Sequence, residues 1–316
     1  MHIRRLTLLL LPVFICGSAM AGDLKCLVTQ AGAPVTGAIV MLDPGPGRGP
    51  RALPLLLGRT NADGICEFTG VAAGEYQVRA SATIGGTLYG AIQDAVTIGA
   101  TGGESVELSM TRAILIHEYM PLARNSAWQY GVSHTEGRTT TTWTRRERVA
   151  GTGVVGGETV TVVSVTSVPA GDAMKQFVSS TDKGYAFYRE GRATDTLTYD
   201  PPLAIGDLCP VGYEWTIEST LNHTDGTPDE RMTLRCKIGG FDRVTAPAGT
   251  FADCARLEFI FEVDGRTDKQ TMWLAEGVGN VRVVEKDAER RQERLLEEYR
   301  IGRGLRPRVP VRPPAP

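Results

Sequence analysis

Short stretches in which apolar and polar residues alternate recur along the whole chain. Residues 66–68 and 76–80 alternate in the first third of the chain, and residues 128–132, 213–219 and 255–263 do so later. Alternation with a period of two places one row of side chains against a core and the other toward solvent, which is typical of β-strands. The pattern therefore predicts an all-β chain.

Turn-forming residues separate these stretches. At 61–64, 224–226 and 263–265 an Asn or Asp lies shortly before a glycine, which is the chemistry of tight hairpin turns. The 37 glycines and 18 prolines also favour many turns over long helices. We predict a small β-sandwich over 22–112, followed over 113–301 by a large curved antiparallel sheet that resembles half a barrel.

The first 21 residues have the features of a signal peptide. Arg4 and Arg5 precede a short apolar stretch, and Ala19 and Ala21 form the small-x-small pattern that signal peptidase cleaves. We expect export to the periplasm or the extracellular space, and lipidation at Cys16 is an open alternative. After this segment, no apolar run reaches the roughly 18 residues of a membrane span.

Three motifs follow one another in the first predicted domain. They are Gly32-x-Pro34-Val35-x-Gly37-Ala38-x-Val40, Thr60-Asn61-Ala62-Asp63-Gly64-x-x-x-Phe68 and Gly74-Glu75-Tyr76-x-Val78-x-Ala80. In this order they resemble the carboxypeptidase regulatory-like domain, a transthyretin-like β-sandwich. The resemblance implies a folding, spacing or binding module without catalysis. The insert at 44–54 makes one loop longer than that family usually carries.

Five cysteines follow the predicted signal, and in an oxidising compartment they should pair and leave one thiol over. Cys26 and Cys66 lie on predicted strands of the sandwich and are our candidates for a disulfide. Two separate buried thiols are the alternative, and the pairing among Cys209, Cys236 and Cys254 stays open. The cysteine and histidine spacings match no zinc motif, so we expect neither a metal nor a cofactor.

A second set of motifs spans the larger predicted domain. They are Met120-Pro121-Leu122-Ala123-x-Asn125-Ser126-x-Trp128-x-Tyr130, Pro202-Leu203-x-Ile205-Gly206, Pro247-Ala248-Gly249-Thr250-Phe251 and Trp273-x-Ala275-x-Gly277-Val278-Gly279. They resemble exported bacterial proteins and lipoproteins with a PLxxGNxWxY…PAGTF…WxxxGVG pattern on an extended, partly closed sheet. Asn125, Ser126 and Glu276 depart from that pattern. The resemblance implies a fold and a compartment but no activity.

All four tryptophans and most other aromatic residues lie in the second predicted domain. On a curved sheet, a face of such residues forms either a filled core or an apolar groove for a ligand. We predict an exported binding or scaffold protein without catalysis, which holds a lipid, a hydrophobic peptide or an envelope protein on this sheet. The period of two places the following pairs on shared faces: Trp128 with Tyr130, Tyr185 with Phe187, Tyr213 with Trp215, and Phe259 with Phe261.

Few residues suggest catalysis. None of the histidines lies in a metal-binding or nucleophile motif. Each histidine is expected to be a surface or hydrogen-bonded residue, and His223 is expected in an exposed hairpin turn. His134 and Glu136, two apart on a predicted strand, are the best acid–base pair. The alternative function is therefore a secreted hydrolase that cleaves glycan or peptide with carboxylates of the second domain. A net charge of −2 provides no basic face for nucleic acid.

The charged segment 285–300 fits two structures. Glutamates and arginines four residues apart suit a helix, whereas alternation at both ends suits two strands around a polar turn. We favour strands, because the sheet otherwise lacks an ending. The tail at 302–316 is rich in proline and arginine and should be an exposed, extended segment.

Overall fold

The structure is a computed structural model that describes residues 21–44, 55–169, 173–192, 195–287 and 290–302. The predicted signal peptide before residue 21, most of the 44–54 insert and the tail after residue 302 lie outside the described residues. Two compact units make up the chain, one of Met1–Ala80 with Gln93–Leu108 and one of Ser81–Ile92 with Ser109–Pro316.

The first unit is built from strands, as the alternating pattern predicts. The sheet of β1 to β8 has the order β2-β1-β8-β7-β6-β3-β4, and β5 pairs with β1. Residues 81–84 of β6, 87–92 of β7 and 109–115 of β8 are part of the second unit. Leu24, Val28 and Leu42 are completely or almost completely buried in its core. The strand β8 continues to Leu115, past the domain boundary that the sequence predicts at residue 112. The strands are β1 (Ala21–Gln30), β2 (Ala33–Pro34), β3 (Ile39–Asp43), β4 (Leu56–Arg59), β5 (Ile65–Ala72), β6 (Gly74–Ile84), β7 (Thr87–Ile98) and β8 (Gly103–Leu115).

The predicted disulfide between Cys26 and Cys66 is absent. The two residues are direct partners across β1 and β5, and both are free, buried thiols. The sulfur of Cys66 fills the space that a Cβ at residue 58 would occupy. Burial, with a smaller contribution from Cys66, raises the pKa of the Cys26 thiol to about 12. Each sulfur therefore packs as a small apolar group, which is the alternative that the sequence left open.

Twelve strands in the described part of the second unit form a closed antiparallel barrel. The predicted all-β fold with a large curved sheet is confirmed, and its curvature continues to complete closure. Around the barrel the order is β10-β11-β12-β13-β14-β16-β17-β18-β19-β20-β21-β9, while β15 pairs with β8. The elements are α1 (Ile116–Tyr119), β9 (Ala127–Glu136), β10 (Thr139–Val155), β11 (Glu158–Val168), β12 (Met174–Thr181), β13 (Gly184–Gly191), β14 (Thr196–Gly206), β15 (Leu208–Pro210), β16 (Glu214–Asn222), β17 (Glu230–Ala246), β18 (Gly249–Val263), β19 (Arg266–Ala275), β20 (Gly279–Lys286) and β21 (Arg290–Arg300).

The charged segment near the end of the chain closes the barrel. It forms the end of β20 and all of β21, so the strand interpretation is right. In β21, Arg294 lies opposite Val132 and Leu296 opposite Tyr130, both of β9. Leu296 is completely buried. Tertiary pairing of β21 with β9 thus overrides the helical propensity of the glutamate and arginine pairs.

The helix α1 packs at one end of the barrel, which we call the base and which contains the β19–β20 turn at 276–278. The Gly277 amide donates to the Glu118 carbonyl at 2.8 Å, and the Ile116 amide donates to the Asp207 carbonyl at 2.8 Å. Ile116 itself is completely buried. Nearby, the Trp128 indole donates to the Val278 carbonyl at 2.6 Å. The opposite end, which contains the β9–β10 and β18–β19 turns, is called the mouth.

Candidate functional site

Most of the aromatic residues that the sequence singles out lie inside the barrel. Tyr213 lies just before β16, and its ring meets the ring of Trp215 edge-on with the centroids 4.6 Å apart. The other seven belong to the buried clusters of the barrel or pack against them: Trp128, Tyr130, Tyr185, Phe187, Trp215, Phe259 and Phe261.

The interior is densely packed between the base and the middle of the barrel. Trp128 and Tyr130 are 7% and 3% exposed. Between them and Tyr185 lies a cavity of about 70 Å³, which Glu147 and Gln176 also line. That volume holds a few water molecules but is far below the several hundred Å³ of a typical small-molecule site. This half of the barrel is therefore a filled core.

Apolar side chains near the mouth remain partly exposed. The pairing registers place Trp143 on the same face as Val132, and Phe261 and Val263 on the same face as Leu234 and Met232. Trp143, Phe261 and Val263 are each only partly buried, although they face the interior of a closed barrel. A side chain in that position contacts water only where the interior is open. The mouth half thus has an apolar wall that solvent reaches.

Four charged side chains from neighbouring strands meet on the inner face of the barrel. We call Arg145, Glu147, Glu285 and Arg294 the interior charge cluster. Nε of Arg145 donates to Oε1 of Glu147 at 2.7 Å. Arg294 lies 3.8 Å from the same oxygen and also pairs with Glu285. The side chains of Arg145, Glu147 and Arg294 are only 12–15% exposed, whereas that of Glu285 is 37% exposed.

Hydrogen bonds and opposite charges offset the energetic cost of burying these charged side chains. Burial opposes the charge of Arg145, but Glu147 outweighs it, so the pKa of Arg145 is raised. Burial, reinforced by Glu147, raises the pKa of the Tyr130 hydroxyl well above the usual value. Gln270 and Gln292 donate to the two oxygens of Glu285 at 2.9 and 3.1 Å. The two arginines and two glutamates therefore balance in charge, although Nε of Arg294 has no hydrogen-bond partner among the described residues. Glu285 is the member that is most exposed.

The sequence reasoning missed this cluster. One signal for it was present, because Arg145 and Glu147 lie between Trp143 and Val149 on one period-two row. A charged residue on the core-facing row of a strand is unusual unless it is paired. The pairing itself depends on strands that are far apart in the sequence.

The other residues that the sequence singles out are the histidines and Glu136. The ring of His134 lies 6.2 Å from that of Trp143, and Glu136 is exposed at the end of β9. Within the described residues, no hydrogen bond joins His134 to Glu136. Nδ1 of His117 lies 2.7 Å from the Asp207 carboxylate. The prediction that His223 is exposed is wrong, because only 10% of its side chain is accessible.

A carboxylate lies on each side of the His223 ring. Nδ1 lies 3.1 Å from Oδ2 of Asp195, and Nε2 lies 3.6 Å from Oε2 of Glu230. Asp195 directly precedes β14, and Glu230 is the first residue of β17. A loop that the sequence treats as a simple hairpin turn therefore carries a group of ligand-type side chains at the mouth.

No family model matches the chain, and no curated protein matches its sequence. The resemblance to the carboxypeptidase regulatory-like domain thus gains no support at the level of a family model.

Three solved structures have a weak similarity to this chain. A protein from Bacteroides fragilis, described as exported and as having a YmcC-like fold, is 13% identical, covers 58% of this chain and 98% of its own, and has a TM-score of 0.43. A protein from Parabacteroides distasonis described as a lipoprotein is 12% identical over 58% of this chain and 98% of its own, with a TM-score of 0.36. Fervidolysin from Fervidobacterium pennivorans, a keratinolytic enzyme, is 10% identical over 77% of this chain but only 30% of its own, with a TM-score of 0.22. All three scores are below 0.5, so we infer no function from them.

In the part of the chain that the structure describes, no helix is both long enough and apolar enough to cross a membrane.

Proposed function

We propose that this chain is an exported cell-envelope protein that binds an amphipathic ligand in the mouth half of the barrel, without catalysis. The observation that carries the proposal is the partly exposed apolar wall, which includes Trp143 and Phe261, on the same inner face as the interior charge cluster. Such a surface suits a ligand with an apolar chain and a polar group, such as a lipid.

The two parts of the surface have separate roles in this proposal. The apolar wall provides affinity, because burying each methylene group contributes about 0.8 kcal/mol. Glu285 and its amide donors Gln270 and Gln292 provide polar contacts for a head group. The filled core near the base limits how deeply an acyl chain enters.

Tryptophan fluorescence of the purified full chain tests this proposal, because all four tryptophans lie in the second unit. We expect a lysophospholipid with a cationic choline head group to bind saturably and to shift the emission. Phe261→Glu on the inner face should weaken binding at least about tenfold. The matched control is Val154→Glu, at a side chain that is 66% exposed. If both variants bind like the wild type, the ligand does not occupy the mouth half.

The absence of catalysis is part of the proposal and needs its own test. Turnover of peptidoglycan fragments or casein by the wild type, lost in His134→Ala and Glu136→Gln, would support the hydrolase alternative and contradict the proposal. We expect no such turnover, because His134 and Glu136 do not form a bonded pair and Glu136 is exposed.

The proposed compartment rests on the signal-like residues 1–21. Cell fractionation should find the protein outside the cytoplasm, and mass spectrometry should find a mature chain that starts near residue 22. A mature chain that starts with a lipidated Cys16 would instead support the alternative of a lipoprotein. Retention of residues 1–21 on a cytoplasmic protein would contradict export.

A further inference from the structure

The strongest unassigned feature of the described structure is the group of ligand-type side chains around His223. Asp195, His223 and Asp225 each offer one ligand atom, and these atoms all lie within 4.8 Å of one another. We call these three residues the mouth triad. They come from the β13–β14 and β16–β17 connections, so the barrel fold brings them together and the sequence spacing does not reveal them.

The His223 ring has a carboxylate at each nitrogen. Nδ1 lies 3.1 Å from Asp195, and Nε2 lies 3.6 Å from Glu230. The side chain is 90% buried, and Nε2 is a buried atom with no hydrogen-bond partner among the described residues. A neutral imidazole carries one proton and can donate to only one of the two carboxylates. The other nitrogen then directs a lone pair at an anion, which is unfavourable away from water.

A cation at Nδ1 removes this conflict. The metal would take the lone pair of Nδ1 together with oxygens of Asp195 and Asp225, and the ring proton would then reside on Nε2, facing Glu230. Histidines that bind metals usually donate their second N–H to a carboxylate in this way. A separation of 3.1 Å between Nδ1 and Oδ2 of Asp195 is suitable for two ligands of one ion.

The two aspartates are held in place by neighbouring backbone. Oδ1 of Asp195 accepts the amide and the hydroxyl of Thr224 at 2.9 and 3.2 Å. Oδ1 of Asp225 accepts the amide of Thr227 at 2.9 Å. The ligand atoms are therefore held in position before an ion arrives.

From this geometry we propose that the mouth triad binds a divalent transition-metal ion of the zinc type. One imidazole nitrogen with carboxylate oxygens is a donor set that zinc accepts, while calcium and magnesium prefer oxygen alone. The site lies at the mouth, and its occupancy does not depend on the ligand proposed above for the interior.

Metal binding by the full chain tests the proposal directly. The protein is stripped with a chelator and titrated with Zn²⁺ by calorimetry, and with Co²⁺ by visible absorption, with the thiols kept reduced. We expect one ion per chain, and we expect Asp225→Asn and His223→Gln each to lower the affinity at least about tenfold. Asp225 is exposed, so Asp225→Asn should fold even if His223→Gln does not.

Two further variants distinguish the mouth triad from other carboxylates and from the cysteines. Glu230→Gln should weaken binding by about 10–100-fold, because in the metal-bound state that we propose the Nε2 proton of His223 faces the Glu230 carboxylate. Asp264→Asn, in another exposed Asp-Gly turn, is the matched control and should bind like the wild type. The proposal is overturned if no saturable binding occurs, if Asp225→Asn binds normally, or if nitrogen NMR shows a doubly protonated His223 that Zn²⁺ does not displace.

Discussion

The interior charge cluster makes a strong prediction about stability. In Glu147→Gln, the side chain keeps its size but loses the charge that faces Arg145 at 2.7 Å and Arg294 at 3.8 Å. Arg294 keeps its second partner, Glu285, whereas Arg145 loses its only ion-pair partner in the described structure. The substitution thus leaves a buried guanidinium without a compensating charge.

The expected cost follows from burial and distance. At an effective dielectric constant of about 20, two unit charges 4 Å apart attract each other by about 4 kcal/mol. Removing one partner of a buried pair typically destabilises a protein by about 3–5 kcal/mol. Because Arg145 and Glu147 are still 15% and 14% exposed, we expect a loss near the lower value, about 3 kcal/mol.

Urea unfolding followed by tryptophan fluorescence measures this loss in the second unit alone, since residues 128, 143, 215 and 273 are the only tryptophans. The double variant Arg145→Met with Glu147→Leu should recover most of the stability, because it removes both charges together. Glu262→Gln is the matched control: its pair with Arg235 is 42–43% exposed and should be worth at most about 1 kcal/mol.

The reasoning is refuted if Glu147→Gln stays within about 0.5 kcal/mol of the wild type, a typical surface effect. It is also refuted if the double variant is less stable than the single one. Either outcome would mean that water reaches the cluster freely and that the interior is open in the middle of the barrel as well as at the mouth.

Three other measurements examine the barrel. Leu296 of β21 is completely buried, so Leu296→Ala should lower the free energy of unfolding in urea by about 2–5 kcal/mol. Val154 is 66% exposed, so Val154→Ala should be almost neutral. Equal effects of the two substitutions would contradict closure of the barrel by β21. Gly184→Ala should lower the free energy of unfolding by about 1–3 kcal/mol, because the φ of Gly184 is +131° and a Cβ there would overlap a backbone oxygen of β14. Gly137 also has a positive φ but no such neighbour, so Gly137→Ala should have a smaller effect. Burial raises the pKa of the Cys254 thiol from 9.0 to about 12. As the pH rises from about 9 to 12, the unfolded chain therefore loses this proton before the folded chain does, and the stability of the fold should fall. Cys254→Ala should lessen that fall, and an unchanged dependence of stability on pH would contradict the assignment.

The sequence patterns were sufficient for the strands but not for the pairing of the cysteines. Alternation identified the aromatic rows of β9, β13, β16 and β18 because the side-chain period of a strand is a local property. The predicted bridge between Cys26 and Cys66 correctly placed the two residues next to each other, yet the structure keeps both as buried thiols. Whether neighbouring sulfurs bond depends on side-chain directions that spacing does not encode.

The charged residues were harder to interpret. In Arg290–Arg300, glutamates and arginines four residues apart favour a helix as strongly as alternation favours a strand. The open edge of β9 decided between them, because pairing there satisfies the backbone groups of β21 and buries Leu296. The same pairing brings Arg294 toward Glu147, so the interior charge cluster could not be predicted before the closure of the barrel was known.

The sequence by itself determined the all-β class, the turns and the sharing of faces by aromatic residues, since each of these depends on neighbours along the chain. Only the tertiary structure decided that the sheet closes, that the base half is filled while the mouth half is open, and that His223 lies buried between Asp195 and Glu230. Those features depend on strands that are distant in sequence, where burial and charge compensation act through space.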